Sequence, residues 1–428
     1  MSNLLTIKKK ITFVINKLPV LKYRLKQFFY FFTYAIYNKT SRQNTTYEIL
    51  PQYISIKSET FFGYYDKSPV NQKNSDIIFH ESIRPTYKKP ISKDPINVVI
   101  KSLVEPEKYI RLTTSAYNWQ QGARAQWIDN ERIIFNDYNY KEDYYYSKIA
   151  NSVSGKIEKI VDFPIYDVYQ NIGFSLNFDR LAIMRPDYGY RNRIERNMTI
   201  NINNYDNDGI FKVDIQNNSR KLIISFDRLC DFEPNENLKS ATHKVNHIMI
   251  SPDGENIIFL HRYFVKGRKF DRLFLYNNDT NTLKLLSDHE MISHCFWYDS
   301  KYIVSYMRDF TYGDKYYIID IENQSRQVLG NQLIDNFGDG HPNIFQDKMI
   351  FDTYPNKYEM KELFKYDIKN SKLEKLGELF TPFKYYGESR CDLHPRWSSD
   401  GSKIFFDSIH TGYRRLYMME MNRDLKMI

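Results

Sequence analysis

The stretch Asn246-His247-Ile248-Met249-Ile250-Ser251-Pro252-Asp253-Gly254-Glu255-Asn256-Ile257-Ile258-Phe259 decides the fold. It reads as a short strand, an Asp-Gly turn that needs backbone φ above zero, and a second apolar strand. Arg272-Leu273-Phe274-Leu275-Tyr276 and Leu283-Lys284-Leu285-Leu286 follow, so one unit holds four short strands. The unit recurs. Anchors on its second strand fall at Ile77, Ile133, Leu181, Ile257, Ile303, Met349 and Ile404, separated by 56, 48, 76, 46, 46 and 55 residues. All-strand units of about 40–50 residues are the signature of propeller blades. Seven anchors therefore predict an all-β, seven-bladed β-propeller over residues 44–428. The 76-residue gap predicts an insertion over 185–245, within or after the third blade, containing Tyr188-Gly189-Tyr190-Arg191-Asn192-Arg193. The seventh unit runs out of chain after three strands. The segment 44–58, which precedes the first unit, is expected to supply its fourth strand and close the ring, because an open ring exposes a strand edge.

Composition agrees with this reading. The 428 residues include 36 Tyr, 29 Phe and 4 Trp, rings that favour strands, and 42% hydrophobic content excludes a disordered chain. The formal charge is +9. Lys8, Lys9, Lys10, Lys17, Lys22, Arg24, Lys26, Lys39 and Arg42 lie in residues 1–43 with no acid among them, so the remainder is balanced at 52 against 52. A basic excess confined to a tail argues against nucleic acid as the body's partner. The tail reads as two amphipathic helices broken at Pro19, the second ending in Phe28-Phe29-Tyr30-Phe31-Phe32-Thr33-Tyr34-Ala35-Ile36-Tyr37. That run is too short to cross a bilayer, which takes about 20 apolar residues. Basic residues beside aromatic ones suit an anionic membrane surface, each cation contributing roughly 1 kcal/mol. A terminal helix packed on the domain or on a partner would carry the same features. Cys230, Cys295 and Cys391 are scattered and odd in number, which predicts no disulfide framework and a cytoplasmic protein, peripheral at the inner membrane.

Superimposing the repeats puts histidine at one address, the entrance of the innermost strand, in four consecutive blades. These are His247, His294, His341 and His394, spaced by 47, 47 and 53 residues. Such positions converge on the central channel. Trp127, Trp297 and Trp397 follow the address by three residues and extend the register to Arg124 in blade two, Asn171 in blade three, and Asp66 or Lys67 in blade one. Gathered neutral imidazoles suit a divalent metal such as Mn, Fe, Ni or Zn. A structural histidine kept by the repeat would give the same phase. The second-strand ends return to this face and bring His80-Glu81, Asn136-Asp137, Arg185, His261-Arg262, Arg308-Asp309, Asp352 and Asp407, with His410 just beyond. With Tyr64, Tyr65, Trp119, Gln120 and Gln121 they predict a rim of rings, amides and charges fitted to an oligosaccharide; salt bridges between blades would also use these charges. No phosphate-binding Gly-rich loop, Cys-x-x-Cys pair, His-Glu-x-x-His or Gly-x-Ser-x-Gly elbow occurs.

At Ser251-Pro252-Asp253-Gly254, at in-phase His247 and His294, and at His394-Pro395-Arg396-Trp397-Ser398-Ser399-Asp400-Gly401, the chain resembles oligogalacturonate lyase, a cytoplasmic propeller enzyme using a manganese-type ion. The resemblance covers roughly residues 240–424. It implies metal ligation by His294 and near His394, with His341 in the same phase, and proton abstraction by His247. It further implies β-elimination on a uronate-containing oligosaccharide, with Arg124 pairing a carboxylate. The family's last blade presents a Gln and two His where this chain has Arg390-Cys391-Asp392-Leu393-His394. Phe62-Gly63-Tyr64-Tyr65-Asp66-Lys67-Ser68-Pro69, Asn118-Trp119-Gln120-Gln121-Gly122 and Arg390-Cys391-Asp392-Leu393-His394-Pro395 also resemble uncharacterised propellers of bacterial capsule and lipopolysaccharide synthesis. That likeness implies a rival role: a non-catalytic sugar-binding or scaffold propeller beside polysaccharide-building enzymes. Glycosyl transfer ranks below both, for want of a nucleotide-sugar motif.

Overall fold

The structure is a computed structural model that describes residues 28–29, 31–36, 52–53, 58–330 and 332–421. Seven four-stranded antiparallel sheets form a seven-bladed β-propeller. From the axis outward, blade one comprises Glu59–Phe61, Asp76–Ser82, Ile96–Ser102 and Tyr109–Thr114, and blade two Gln126–Trp127, Arg132–Asn139, Tyr144–Asn151 and Ile157–Val161. Blade three comprises Asp167–Tyr169, Ile172–Leu176, Gly209–Asp214 and Ser219–Ser225, and blade four Thr242–Ile250, Asn256–Val265, Arg268–Asn277 and Leu283–Ser287. Blade five comprises Ile292–Trp297, Tyr302–Asp309, Gly313–Asp320 and Arg326–Val328, and blade six Asn343–Phe345, Lys348–Asp352, Met360–Asp367 and Lys372–Phe380. Blade seven comprises Arg396–Trp397, Lys403–Ser408 and Arg415–Glu420. Gln52–Tyr53 pairs antiparallel with Arg415–Glu420 at its outer edge, Gln52 opposite Met418 and Tyr53 opposite Tyr417. The rest of the 1–43 tail and of 44–58, including the break at Pro19, lies outside the described residues.

Second strands are sandwiched between neighbouring blades, so their side chains are buried on both faces: Ile257, Ile258, Phe259 and Leu260 have no exposure. The periodic tryptophans tie each blade to the one before. Indole N–H groups of Trp127, Trp297 and Trp397 donate to Pro69 O at 2.8 Å, Met249 O at 3.0 Å and Lys348 O at 3.1 Å. A buried indole keeps its hydrogen bond this way while filling the interface. Cys230, Cys295 and Cys391 are free thiols.

Blade three corrects the sequence reading. Leu181 is not on a strand but on the helix Phe178–Met184, because the Asn177 side chain caps it by accepting from the N–H groups of Asp179 and Arg180. The second strand is Ile172–Leu176, earlier than the anchor placed it. The extra chain is likewise divided. Residues 177–208 join the second and third strands and residues 226–241 link blade three to blade four, so the expected insertion span of 185–245 encloses two genuine strands.

Candidate metal centre at the channel mouth

The address is set by β-bulges and tight bends in the innermost strands. Register shifts between Asn246 and Met249 in blade four and between Ile292 and His294 in blade five. In blade four the bulge takes His247 out of the ladder; in blade five it falls on Ser293, just before His294, which pairs with Tyr306. Arg124, His247 and His394 adopt φ of +54°, +55° and +45°, a conformation that costs a non-glycine residue of order 1–3 kcal/mol. Strain repeated at one position in three blades marks it as more than a strand end. Counting three residues back from the partner of each second-strand anchor gives Lys67, Arg124, His247, His294, His341 and His394; in blade three, where Gly173 pairs with Val168, the count falls on Ile165, and the neighbouring Tyr166 carries its ring against Arg124 and its hydroxyl to the His247 N–H. Tyr166 replaces Asn171 as blade three's contribution. Asn171 sits exposed in the turn between Asp167–Tyr169 and Ile172–Leu176, at the other end of the strand, because the shifted anchor displaced that blade's register.

The four imidazoles meet. Successive ring centroids are 5.6 Å apart for His247–His294, 4.2 Å for His294–His341 and 4.3 Å for His341–His394. Tyr64 and Tyr65 occupy the centre between them. The Tyr64 hydroxyl lies 2.7 Å from His247 Nδ1, and its ring is 4.9 Å from that of His394. The Tyr65 ring is 5.3 Å from that of His341, and its hydroxyl donates to Cys295 O at 2.9 Å. All four histidines are buried. Burial and neighbouring cations push His247 and His394 well below the usual imidazole range, and burial lowers His294. His341 is the exception, since burial opposes its charge but the Asp352 carboxylate outweighs it.

Carboxylates orient the rings. His341 Nδ1 lies 2.8 Å from Asp352 Oδ1, and Asp352 also accepts the backbone N–H groups of His341, Leu393 and His394 at 2.8, 3.0 and 3.1 Å. His394 Nδ1 is 2.7 Å from Gly63 O, so that nitrogen carries the proton and Nε2 presents a lone pair. Neither His341 Nε2 nor His394 Nε2 has a hydrogen-bond partner, although both atoms are buried. Asp392 completes the group: donor atoms of His341, Asp392 and His394 all lie within 4.8 Å of one another. Two unpartnered imidazole nitrogens and a carboxylate fit a divalent cation, and the carboxyl–histidine contacts behind them are the usual support of metal ligands. Asp392 is held ionised, well below the ordinary carboxylate range: burial opposes this, and Arg390, Lys361 and the two histidines overcome it. His294 stands beside this group, with Nδ1 3.0 Å from Asp339 Oδ1.

The other arc of the address is closed by its own ion pairs. Arg124 grips Asp66 with Nη1–Oδ1 and Nη2–Oδ2 distances of 3.1 and 2.7 Å, and Nε donates to Tyr166 O at 2.8 Å. Both side chains are only 3% exposed. Arg124 and Asp66 are thereby a buried strut: four of the five guanidinium N–H groups are spent on Asp66 and the Tyr166 carbonyl, which leaves no bidentate pair for a substrate carboxylate, contrary to the expectation for Arg124. Lys67 pairs with buried Asp167.

Several rim residues are likewise structural. Trp119 is 1% exposed and packs on Phe61 and Tyr117, its N–H donating to Lys88 O at 2.7 Å, so it offers no stacking face. Gln120 donates to Arg390 O at 2.6 Å and Gln121 to Tyr166 Oη at 3.1 Å. His261 stacks on His243, with His243 Nδ1 3.0 Å from His261 Nε2 and His243 Nε2 2.9 Å from Leu238 O. The carbonyl fixes the His243 proton on Nε2, so His261 is the donor in the pair. His410 packs on Tyr417 at 4.7 Å, beyond blade seven's second strand. Arg185 does reach the mouth. It pairs with Asp187 at 2.9 Å; Asp187 pairs with Arg390, and Arg390 with Asp392 at 2.8 Å. Lys244, unremarked in the sequence, is 1% exposed, with Met184 O at 3.5 Å as its hydrogen-bond acceptor. Burial and nearby Arg262 and Arg185 lower it to about 7.

No protein-family model and no curated protein sequence matches the chain. Solved structures do. An oligogalacturonate lyase from Vibrio parahaemolyticus superposes with TM-score 0.58 at 15% identity, over 89% of this chain and 95% of that one. An oligogalacturonate lyase in complex with manganese gives 0.60 at 15% identity over the same shares. The likeness establishes a shared seven-bladed fold.

Proposed function

We propose that this propeller is carbohydrate-active and that His341, Asp392 and His394 hold a divalent, manganese-like ion for β-elimination of a uronate-containing oligosaccharide. The observation that carries this reading is the pair of buried, unpartnered Nε2 atoms converging with Asp392. When bound, such an ion supplies positive charge beside the substrate carboxylate and lowers the cost of developing negative charge at C5. The protein's own groups complete the chemistry. Neutral His247 accepts the C5 proton, the C4–O bond breaks as C4=C5 forms, and the leaving oxygen takes a proton. Tyr64, whose hydroxyl lies 2.7 Å from His247 Nδ1, and Tyr188, its ring 6.0 Å from that of His247, are the phenols beside the base for that transfer. Arg185, rather than Arg124, would pair with an acidic sugar, and a carboxylate arriving beside Lys244 would favour the protonated form of that amine.

Metal-loaded and chelated protein, offered oligogalacturonate and other uronides, should differ in formation of the ultraviolet-absorbing unsaturated uronide. Absence of that product with metal-loaded protein rejects elimination. Binding without turnover would favour the second reading, a sugar-binding scaffold, which is supported by how deeply the imidazoles are buried. In either reading the basic residues of 1–43 attach the propeller to an anionic membrane surface on the cytoplasmic side.

A further inference from the structure

We propose that the face bearing the histidine mouth is the one that lies on the anionic lipid surface, and that the glycan taken there is carried on a lipid. The glycan part rests on the carbohydrate reading above; the orientation does not.

Strand direction alternates in each blade, so second-to-third-strand loops and blade-to-blade links share the mouth face. First-to-second and third-to-fourth loops share the opposite face. Large exposed apolar or aromatic side chains follow this division. Ile83, Tyr140, Ile183, Phe310, Tyr354 and Tyr413 stand on the second-to-third connections of blades one, two, three, five, six and seven. Among the described residues, only Val104 and Val153 do so on loops of the opposite face. Apolar and aromatic side chains spaced singly over six of the seven blades suit a headgroup interface, where aromatic side chains settle.

The N-terminal segment reports the same direction. Residues 31–36 are helical. Tyr34 stacks on Phe380 with centroids 4.0 Å apart, and Thr33 Oγ1 donates to Lys357 O at 2.6 Å. Phe380 ends blade six's outer strand and Lys357 lies in its second-to-third loop, so the helix is pinned to the mouth face. Phe28 and Phe32 are 70% and 58% exposed. Seven cations and no acid precede them, from Lys8 to Lys26. Charge thus selects an anionic bilayer over an apolar protein groove as the occupant. A mouth turned to the headgroups admits a glycan tethered in that plane more readily than one arriving from bulk solution, since tethering raises its effective concentration.

The test uses full-length protein with Cys230→Ser and a fluorophore on Ile83→Cys, on the mouth face, or Lys369→Cys, on the opposite face. Vesicles are phosphatidylcholine with or without phosphatidylglycerol, containing a quencher-bearing lipid. Binding should require phosphatidylglycerol, the Ile83 site should be quenched, and the Lys369 site should not. Phe32→Glu should weaken vesicle binding by about tenfold with an unchanged circular dichroism spectrum. Absent binding, or quenching at Lys369 equal to or above that at Ile83, overturns the orientation. Oligogalacturonate tethered to a lipid in the same vesicles should then bind at least about tenfold better than the free oligosaccharide. Equal binding overturns the lipid-carried substrate. If neither form binds while Ile83 is still quenched, the carbohydrate reading fails and the orientation stands.

Discussion

Blades one to three and blades four to seven offer a side chain at the same address and use it differently. Lys67, Arg124 and Tyr166 are consumed internally: Lys67 by Asp167, Arg124 by Asp66 and the Tyr166 carbonyl, and the Tyr166 hydroxyl by the His247 N–H at 3.2 Å. His341 and His394 are instead held by one ring nitrogen and leave the other unpartnered. One arc of the ring is therefore a strut, and on the other blades six and seven leave ring nitrogens free for a ligand. A repeat position converges on the axis in every blade, but convergence alone does not make a site; the unsatisfied donor atom does.

The comparison breaks most visibly at Arg124. Arg124→Ala leaves Asp66 charged, buried and unpaired, and should cost about 3–5 kcal/mol in denaturant unfolding while metal stoichiometry stays unchanged. Arg124→Met with Asp66→Leu should recover most of that loss. Next comes acid sensitivity on the same arc. His80 is wholly buried, and burial, helped by nearby Arg396, lowers it from 6.5 to about 4 against the opposing pull of Phe62 O, which accepts from its Nδ1 at 2.9 Å; Ala123 N–H donates to its Nε2 at 2.9 Å. Between those values the unfolded chain binds the extra proton, so stability is full above about pH 6.5 and falls as pH drops toward 4. The upper limit of that fall is roughly 3 kcal/mol. Chelator-treated His80→Gln should show a smaller decline across that window than the unaltered chain. On the ligand arc, Asp352→Asn should weaken metal affinity about 10–100-fold by titration calorimetry, since Asp352 touches His341 without belonging to the ligand group. His410→Ala, remote from both arcs, should change stability by less than about 1 kcal/mol and metal affinity not at all.

The repeat made the fold legible, because blade periodicity is carried by strand-forming runs and turn residues that depend little on context. It failed only at blade three, where Arg180-Leu181-Ala182-Ile183-Met184 is apolar enough to pass for a strand but is capped into a helix by Asn177. The histidine address was legible for the same reason. Partner choice was not, since nothing local tells a reader that Arg124 meets Asp66 across 58 residues or that Trp119 closes against Lys88 O. Asp392 was not readable either, since residues 391–395 lie outside the strands and the left-handed φ of His394 breaks the two-residue alternation. Lys244 had no signal, because its isolation depends on Met184, Arg185 and Arg262 arriving from other segments.

His341, Asp392 and His394 are proposed to hold one divalent ion between them. Titration of chelator-stripped protein with Mn(II), read by electron paramagnetic resonance, tests this most directly. One bound ion per chain is expected, lost in His394→Ala and in Asp392→Ala but retained in the Arg124→Met, Asp66→Leu double variant. Undiminished binding in His394→Ala, or no binding by the unaltered chain, would contradict that assignment.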